Sequence, residues 1–223
     1  MNKISLYILL ILIFLGFSKS FSPKLKNIDF IKNKDMFQVF VKNAPVSLIL
    51  KESFERGTFI KSYYQKYQII HGFKPNDQKT VTFRTTKSFW EKNKKYIGMS
   101  LYRAEKSDSP GDTTPMPPGF LFIGDSAYGS WEKNKNGEKV WIFQRSYAHF
   151  PKLFEWKNFK ITKKLFIKVQ KHKKKGTVFY GDKNQFKSIQ KNKTIIVKKK
   201  RLSEKIKEYI TTYWSFPEKK RTK

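Results

Sequence analysis

The hydrophobic pattern begins with an almost unbroken apolar run close to the N-terminus. The run covers residues 4–17, follows a basic start and is succeeded by Ser18-Lys19-Ser20. A positively charged start, an apolar core and small residues at the cleavage positions are the features of a secretory signal peptide. We therefore predict that residues 1–20 are a signal peptide and that the mature chain begins at Phe21.

The alternative for this run is an uncleaved membrane anchor. The segment 4–17 has too few apolar residues, because roughly 20 are needed to cross a hydrocarbon core at about 1.5 Å per residue. No second apolar run of comparable length follows it. We therefore predict an exported protein, periplasmic or secreted, whose mature chain has no transmembrane span.

Short apolar stretches separated by turn residues predict β-strands through most of the remaining chain. The predicted strands are residues 37–41, 46–50, 80–85, 96–102, 120–123, 139–147, 165–169, 177–180 and 194–198. The connection at residues 42–45 predicts that the first two strands form a hairpin. Residues 59–70 have helical spacing but three tyrosines, so helix and strand both stay open. Residues 120–123 are apolar on both faces, which indicates a central strand.

A helix is predicted near the C-terminus. Its apolar residues, Leu202 to Tyr213, share one face, Ser203 can cap its start, and Pro217 prevents its extension. We predict one α+β domain over residues 21–216, dominated by a largely antiparallel β-sheet, with this C-terminal amphipathic helix. Residues 217–223 are predicted to be a basic disordered tail.

Composition changes this picture in two respects. With 39% hydrophobic and 17% aromatic residues the chain can build a core, and the absence of cysteine excludes disulfides, thiolate catalysis and thiolate metal sites. The net charge is +31, or +29 without Lys3 and Lys19. Such a field attracts polyanions. The alternative is that the high lysine content reflects the general amino-acid usage of the source and only forms a solvated surface.

The ratio of lysine to arginine helps to indicate which anionic partner the protein binds. Lysine greatly outnumbers arginine, whereas specific nucleic-acid recognition usually recruits arginine for its bidentate fork. We therefore place nucleic acid below the anionic polymers of the cell envelope as a partner. Three histidines without ligand spacing predict no metal site, and we predict no cofactor.

Residues 106–119 hold four prolines, two glycines and two aspartates, which predicts a long loop able to cover a site. The apolar residues after it end in Gly124-Asp125-Ser126. This block resembles the nucleophile block of the SGNH (GDSL) hydrolases, in which a serine at a strand end attacks an ester. The Asp-x-x-His pair and the Gly-x-Asn-Asp block of that family are absent here, so we do not predict membership. The alternative is a polar turn after a buried strand.

Two sets of candidate site residues follow. The catalytic candidates are Asp125, Ser126 and His149, with Asp112 or Glu132 as alternative acids. The ligand-binding candidates are Asp112, Trp131, Trp141, Arg145 and Tyr147, because flat rings beside a guanidinium suit sugars. Plain core packing is the alternative for the aromatic residues.

The sequence leads to three functional hypotheses. The first is an exported, soluble basic protein that uses residues 108–156 and its basic flanks to bind an anionic or glycan component of the cell envelope. The second is a hydrolase of the same polymers. The third is a secreted factor acting on host membranes or proteins. The sequence leaves the oligomeric state open.

Overall fold

The computed structural model describes residues 3–21, 28–41, 43–57, 61–73, 78–107, 110–156, 159–182 and 186. These residues all belong to one compact unit, Met1–Lys193. The predicted strand at 194–198, the C-terminal helix and the basic tail lie outside the described residues.

The described residues form a mixed α+β structure, which confirms the coarse fold class. The helices are α1 (Lys3–Phe21), α2 (Phe37–Phe40), α3 (Lys87–Asn93), α4 (Phe150–Leu153) and α5 (Lys163–Lys174). The strands are β1 (Phe30–Ile31), β2 (Val46–Arg56), β3 (Ser62–His71), β4 (Gln78–Thr85), β5 (Ser100–Ala104), β6 (Gly129–Lys133) and β7 (Lys139–Phe143). Three 3₁₀ turns cover Lys94–Tyr96, Phe120–Phe122 and Arg145–Tyr147.

The main sheet has five strands in the order β1-β4-β3-β2-β5. β1 runs parallel to β4, and the other neighbours are antiparallel. The long strand β2 pairs with both β3 and β5, and its register with β3 shifts between Leu50 and Glu52. β6 and β7 form a separate hairpin. The segment left open by the sequence, residues 59–70, is a strand from Ser62 onward.

Alternation along β2 divides its side chains between two cores. Leu48 and Leu50 face one core, which holds Phe37 from α2 and residues of α3. Ile49 faces the other, which is rich in aromatic residues and includes Leu165 from α5. Because side chains of a strand alternate between faces, β2 contributes to both cores.

Several predicted strands are wrong. Residues 37–40 of the predicted strand 37–41 form α2, so the predicted hairpin with residues 46–50 does not exist. Phe37 is buried, while Val39 is 67% exposed. Residues 120–123 begin with a 3₁₀ turn, because Gly119 enters it with a φ of 85°. Residues 165–169 lie in α5. The physical reason is common to all three: a short apolar run has no period that separates a strand from a buried turn of helix.

Other boundaries shift. Of the predicted strand 96–102, only the part from Ser100 is β5, and the strand predicted at 139–147 ends at Phe143. Residues 177–180, predicted as a strand, belong to neither a helix nor a strand. The predicted strands at 46–50 and 80–85 are confirmed within β2 and β4.

Helix α1 lies apart from both cores. Its large apolar side chains from Ile4 to Leu15 are 44–72% exposed, and none belongs to either buried cluster. Within the described part of the chain, no helix combines the length and apolar character needed to cross a membrane.

Candidate functional site

A cleft of about 330 Å³ lies between the end of β5, the proline-rich segment and α5. Its floor is apolar, with side chains from Met116, Phe120, Ile123 and Val169. Polar and charged side chains surround this floor: Arg103, Glu105, Lys106, Asp125, Tyr128 and Lys173. An apolar floor with a few convergent polar groups is the usual form of a small-molecule site, and this volume lies at the lower end of the range.

One wall of the cleft includes Met116 from the segment 110–119, which we call the strap. Backbone hydrogen bonds join Asp112 to Arg103 in both directions, at 2.9 and 2.7 Å, and join Met116 to Ser100 in both directions. The strap therefore runs along β5 as an irregular extra strand. The sequence predicted a loop that covers a site, whereas the structure shows a segment fixed to the sheet edge.

The Arg103 side chain fixes the strap a second time. It is only 5% exposed. Its Nη2 donates to Asp112 Oδ2 at 2.8 Å and to the Thr114 carbonyl at 2.6 Å, and its Nη1 donates to the Ser100 carbonyl at 3.0 Å. Because a planar guanidinium has several donors in fixed directions, it can hold three acceptors where a lysine could not hold the same geometry.

A second cation approaches the same carboxylate. Lys34 donates to the Thr113 carbonyl at 2.7 Å, and burial together with the charge of Arg103 lowers the pKa of Lys34. Burial alone would raise the pKa of Asp112, but the charge and hydrogen bond of Arg103 and the Thr114 amide together lower it. Asp112 therefore stays ionised and is the counterion of Arg103.

Helix α5 forms the opposite wall. Thr162 caps it by accepting the Leu165 amide at 3.2 Å, and Leu165 and Val169, one turn apart, are buried. This arrangement turns Lys173 toward the cleft, where its Nζ lies 2.8 Å from Glu105 Oε1. An ion pair between α5 and the segment after β5 thus lies at the edge of the cleft.

The turn at Gly124-Asp125-Ser126 supplies the third side. Asp125 Oδ1 accepts the Ala127 amide at 2.9 Å, and the Asp125 carbonyl accepts the Tyr128 amide at 3.0 Å. The Ser126 carbonyl accepts from Gln144 Nε2 at 2.8 Å. The block is an exposed Asx-type turn rather than the end of a strand.

Tyr128 follows this turn and is 6% exposed. Burial, with smaller effects from Tyr147 and Asp125, raises its pKa to about 12. The Tyr128 hydroxyl therefore keeps its proton at physiological pH. Among the described residues it has no hydrogen-bond partner, although its ring lines the cleft.

The tryptophans predicted to bind ligand lie outside the cleft. Trp131 and Trp141 are cross-strand partners in the β6-β7 hairpin, with ring centroids 5.1 Å apart. Trp141 is 6% exposed, and the Trp131 ring meets Phe166 at 5.5 Å and Lys163 Nζ at 4.6 Å. Trp131 therefore packs against α5 and Trp141 lies in the aromatic core, as the core-packing alternative expects.

The remaining candidates are dispersed. Tyr147 contacts the Tyr128 ring at 5.0 Å, and His149 lies against the Phe150 ring at 5.3 Å. Arg145 is exposed, and the exposed Glu132 accepts from Ser130 Oγ at 3.3 Å. Of the predicted site residues, the structure places Asp125 at the cleft and Asp112 behind it.

The sequence analysis missed the cleft residues Arg103, Glu105, Lys106, Tyr128 and Lys173. One signal was available, because Arg103 is a rare arginine inside an otherwise apolar strand, and a buried charge requires a partner. Lys173 could not be distinguished from the other lysines near it without the fold.

The outer surface of α5 carries a second feature. Lys164, Lys171, Lys174 and Lys175 are exposed, and none has an ion-pair partner among the described residues. Their spacing places them on one side of the helix. We call these four lysines the basic face.

Within the described residues, no group of three or more histidine or acidic side chains is arranged to hold a metal ion. Comparison with protein-family models, curated proteins and solved structures finds no match. Function must therefore be inferred from the geometry of the chain itself.

Proposed function

We propose that the protein is exported and binds an anionic polymer or glycan of the cell envelope, with the basic face as its main contact surface. The observation that supports this is the set of unpaired lysines on α5. From Lys164 to Lys174 they extend over about 15 Å at 1.5 Å per residue, long enough to contact several charged groups of a polymer. Charges at this spacing attract a polyanion in a manner that salt weakens.

Helix stability alone does not explain the basic face. Cations near the C-terminus of a helix, such as Lys171 and Lys174, interact favourably with its dipole. Lys164 lies in the first turn, where the dipole disfavours a cation, and the first turn has no acidic residue. The positive charge of Lys164 therefore does not stabilise the helix, which favours a role in binding an external partner.

The surface beside the basic face is concave. A depression of about 430 Å³ is lined by Lys168, Lys171, His172 and Lys175, with Phe179 and Asp182. Lys168 is paired with Asp182 at 2.7 Å, whereas Lys171 and Lys175 are not paired within the described residues. A concavity with excess positive charge focuses the field toward an approaching anion.

Export remains part of this proposal. The apolar helix α1, exposed along its described side chains and absent from both cores, supports the interpretation of residues 1–20 as a signal peptide. The amphipathic helix predicted at 202–214 and the basic tail at 217–223 would add further positive charge to the exported chain.

The test is co-sedimentation of the purified protein with cell-wall sacculi at low and high salt. A variant with Lys164, Lys171 and Lys174 changed to glutamine is expected to lose most of the binding. The matched control changes Lys133, Lys135 and Lys139, which are also exposed and lie in the β6-β7 hairpin.

Equal loss of binding in both triple variants would show that only total charge matters and would overturn the proposal, as would the absence of binding at low salt. Release of soluble fragments from the sacculi would instead favour the hydrolase hypothesis.

A further inference from the structure

The Tyr128 hydroxyl is the starting point for a second role of the cleft. The residue as a whole is more than nine-tenths buried, yet its hydroxyl oxygen keeps contact with solvent and forms no hydrogen bond with a described residue. An accessible O–H can exchange water for an acceptor on a ligand. Because Tyr128 lines the cleft, a ligand held there can accept this hydrogen bond.

Asp125 complements this donor. Its Oδ1 accepts the Ala127 amide, and it lines the same cleft as Tyr128, near enough for its charge to influence that residue. A phenolic donor beside a carboxylate acceptor matches a hydroxyl group, which both donates and accepts. This end of the cleft is therefore suited to a polyol.

The opposite end is suited to an anion. Lys173 and Lys106 line it, and Arg103 lies beneath it with Lys34 nearby. Lys173 is already paired with Glu105, but the two side chains are 35% and 67% exposed. Exposed pairs of this kind contribute little to stability, so replacement of the Glu105 carboxylate by another anion costs little.

The floor between the two ends is apolar. Met116, Phe120, Ile123 and Val169 offer carbon surface rather than hydrogen-bonding groups. A sugar ring has an apolar face and a hydroxylated rim, so it can contact this floor while its substituents reach the polar ends.

We infer that the cleft binds a sugar unit bearing a carboxylate or phosphate, whose anionic group displaces Glu105 from Lys173 while Tyr128 and Asp125 hold a ring hydroxyl. This inference rests on the proposed function, since it specifies which unit of an anionic polymer the protein recognises. It adds a selective site next to the unselective basic face.

The experiment is saturation-transfer NMR of the full chain with small probes at constant ionic strength. D-glucuronate and glucose 6-phosphate test the carboxylate and phosphate sources separately. D-glucose supplies the ring without the charge, and acetate supplies the charge without the ring. We expect at least one acidic sugar to bind tenfold more tightly than either control.

Four variants test whether the anionic group of the ligand replaces Glu105 as the ion-pair partner of Lys173. Glu105→Gln is expected to tighten binding of the acidic sugar about two- to fivefold, because it removes the competing carboxylate. Lys173→Gln and Tyr128→Phe are each expected to weaken it at least fivefold. Lys139→Gln removes the same charge in the β6-β7 hairpin, outside both the cleft and the basic face, and should leave it unchanged.

Two results would overturn the inference. One is the absence of selective binding by both acidic sugars. The other is equal weakening by Glu105→Gln and Lys173→Gln, which would make the ion pair a structural link. Sacculus binding that persists in either case would leave the proposed function standing, so the two failures are distinguishable. Near-native thermal unfolding of each variant excludes misfolding as the cause.

Discussion

The contact between Asp112 and Arg103 offers the sharpest test of how the strap is held. In Asp112→Asn the amide oxygen can still accept the Thr114 amide, but the negative charge is lost and Arg103 stays buried at 5% exposure. Removing one partner of a buried ion pair costs about 3–5 kcal/mol. Because Asp112 is 24% exposed and Glu105 compensates part of the charge, we expect about 3 kcal/mol.

The assay is urea unfolding followed by tryptophan fluorescence. With a slope of about 2 kcal/mol per molar urea, a loss of 3 kcal/mol lowers the midpoint by about 1.5 M. The control is Asp182→Asn, which breaks the exposed pair with Lys168, whose side chains are 43% and 46% exposed. That change should cost less than about 1 kcal/mol.

The reasoning is refuted if Asp112→Asn shifts the midpoint no more than Asp182→Asn does. Such a result would mean that the backbone hydrogen bonds between Asp112 and Arg103 hold the strap without the charge. An increased slope in the variant would be a different outcome, since it reports a change in the surface exposed on unfolding rather than the loss of one contact.

Three further predictions concern the same structure. The folded-state pKa of Asp112 is below its unfolded value, so the ionised carboxylate stabilises the fold above pH about 4, and this stabilisation is lost as the pH falls through the folded pKa. The difference in unfolding free energy between wild type and Asp112→Asn should therefore shrink over that acid range. Gly119→Ala adds a methyl group against the Phe154 ring at a φ of 85° and should cost at least about 2 kcal/mol in urea unfolding, whereas Gly137→Ala, with φ 77° and open space, should cost about 1. Thr162→Ala removes the cap of α5 and should cost about 1 kcal/mol by thermal unfolding, with Thr162→Ser recovering most of it.

The sequence predicted the strands that have clear boundaries and alternate between two environments. Residues 46–50 and 80–85 are such segments, and both lie in strands of the main sheet. It failed where burial in the tertiary structure determined the conformation. Phe37 enters a cluster with Tyr67 and Phe83, and this burial favours a helical turn that local propensity did not predict.

Helix α5 was missed although its signals were present. Thr162 precedes the helix as a cap, and Leu165 and Val169 are four residues apart, but the β-branched and aromatic residues between them favoured a strand. The candidate site shows a different limit. Asp125 was recognisable from its turn, whereas Arg103 in β5 and Lys173 in α5 are far apart in sequence and line the same cleft only in the folded chain.

The strap also affects how the sheet meets other chains. β5 is an edge strand, and an unpaired edge can recruit a strand from another molecule. The strap occupies that edge through Asp112 and Met116, and it also contains Pro115, Pro117 and Pro118, which are buried and have no N–H to donate. Intermolecular sheet growth is therefore blocked on this side of the sheet, so that crowding among many copies does not lead to fibre-like association through β5.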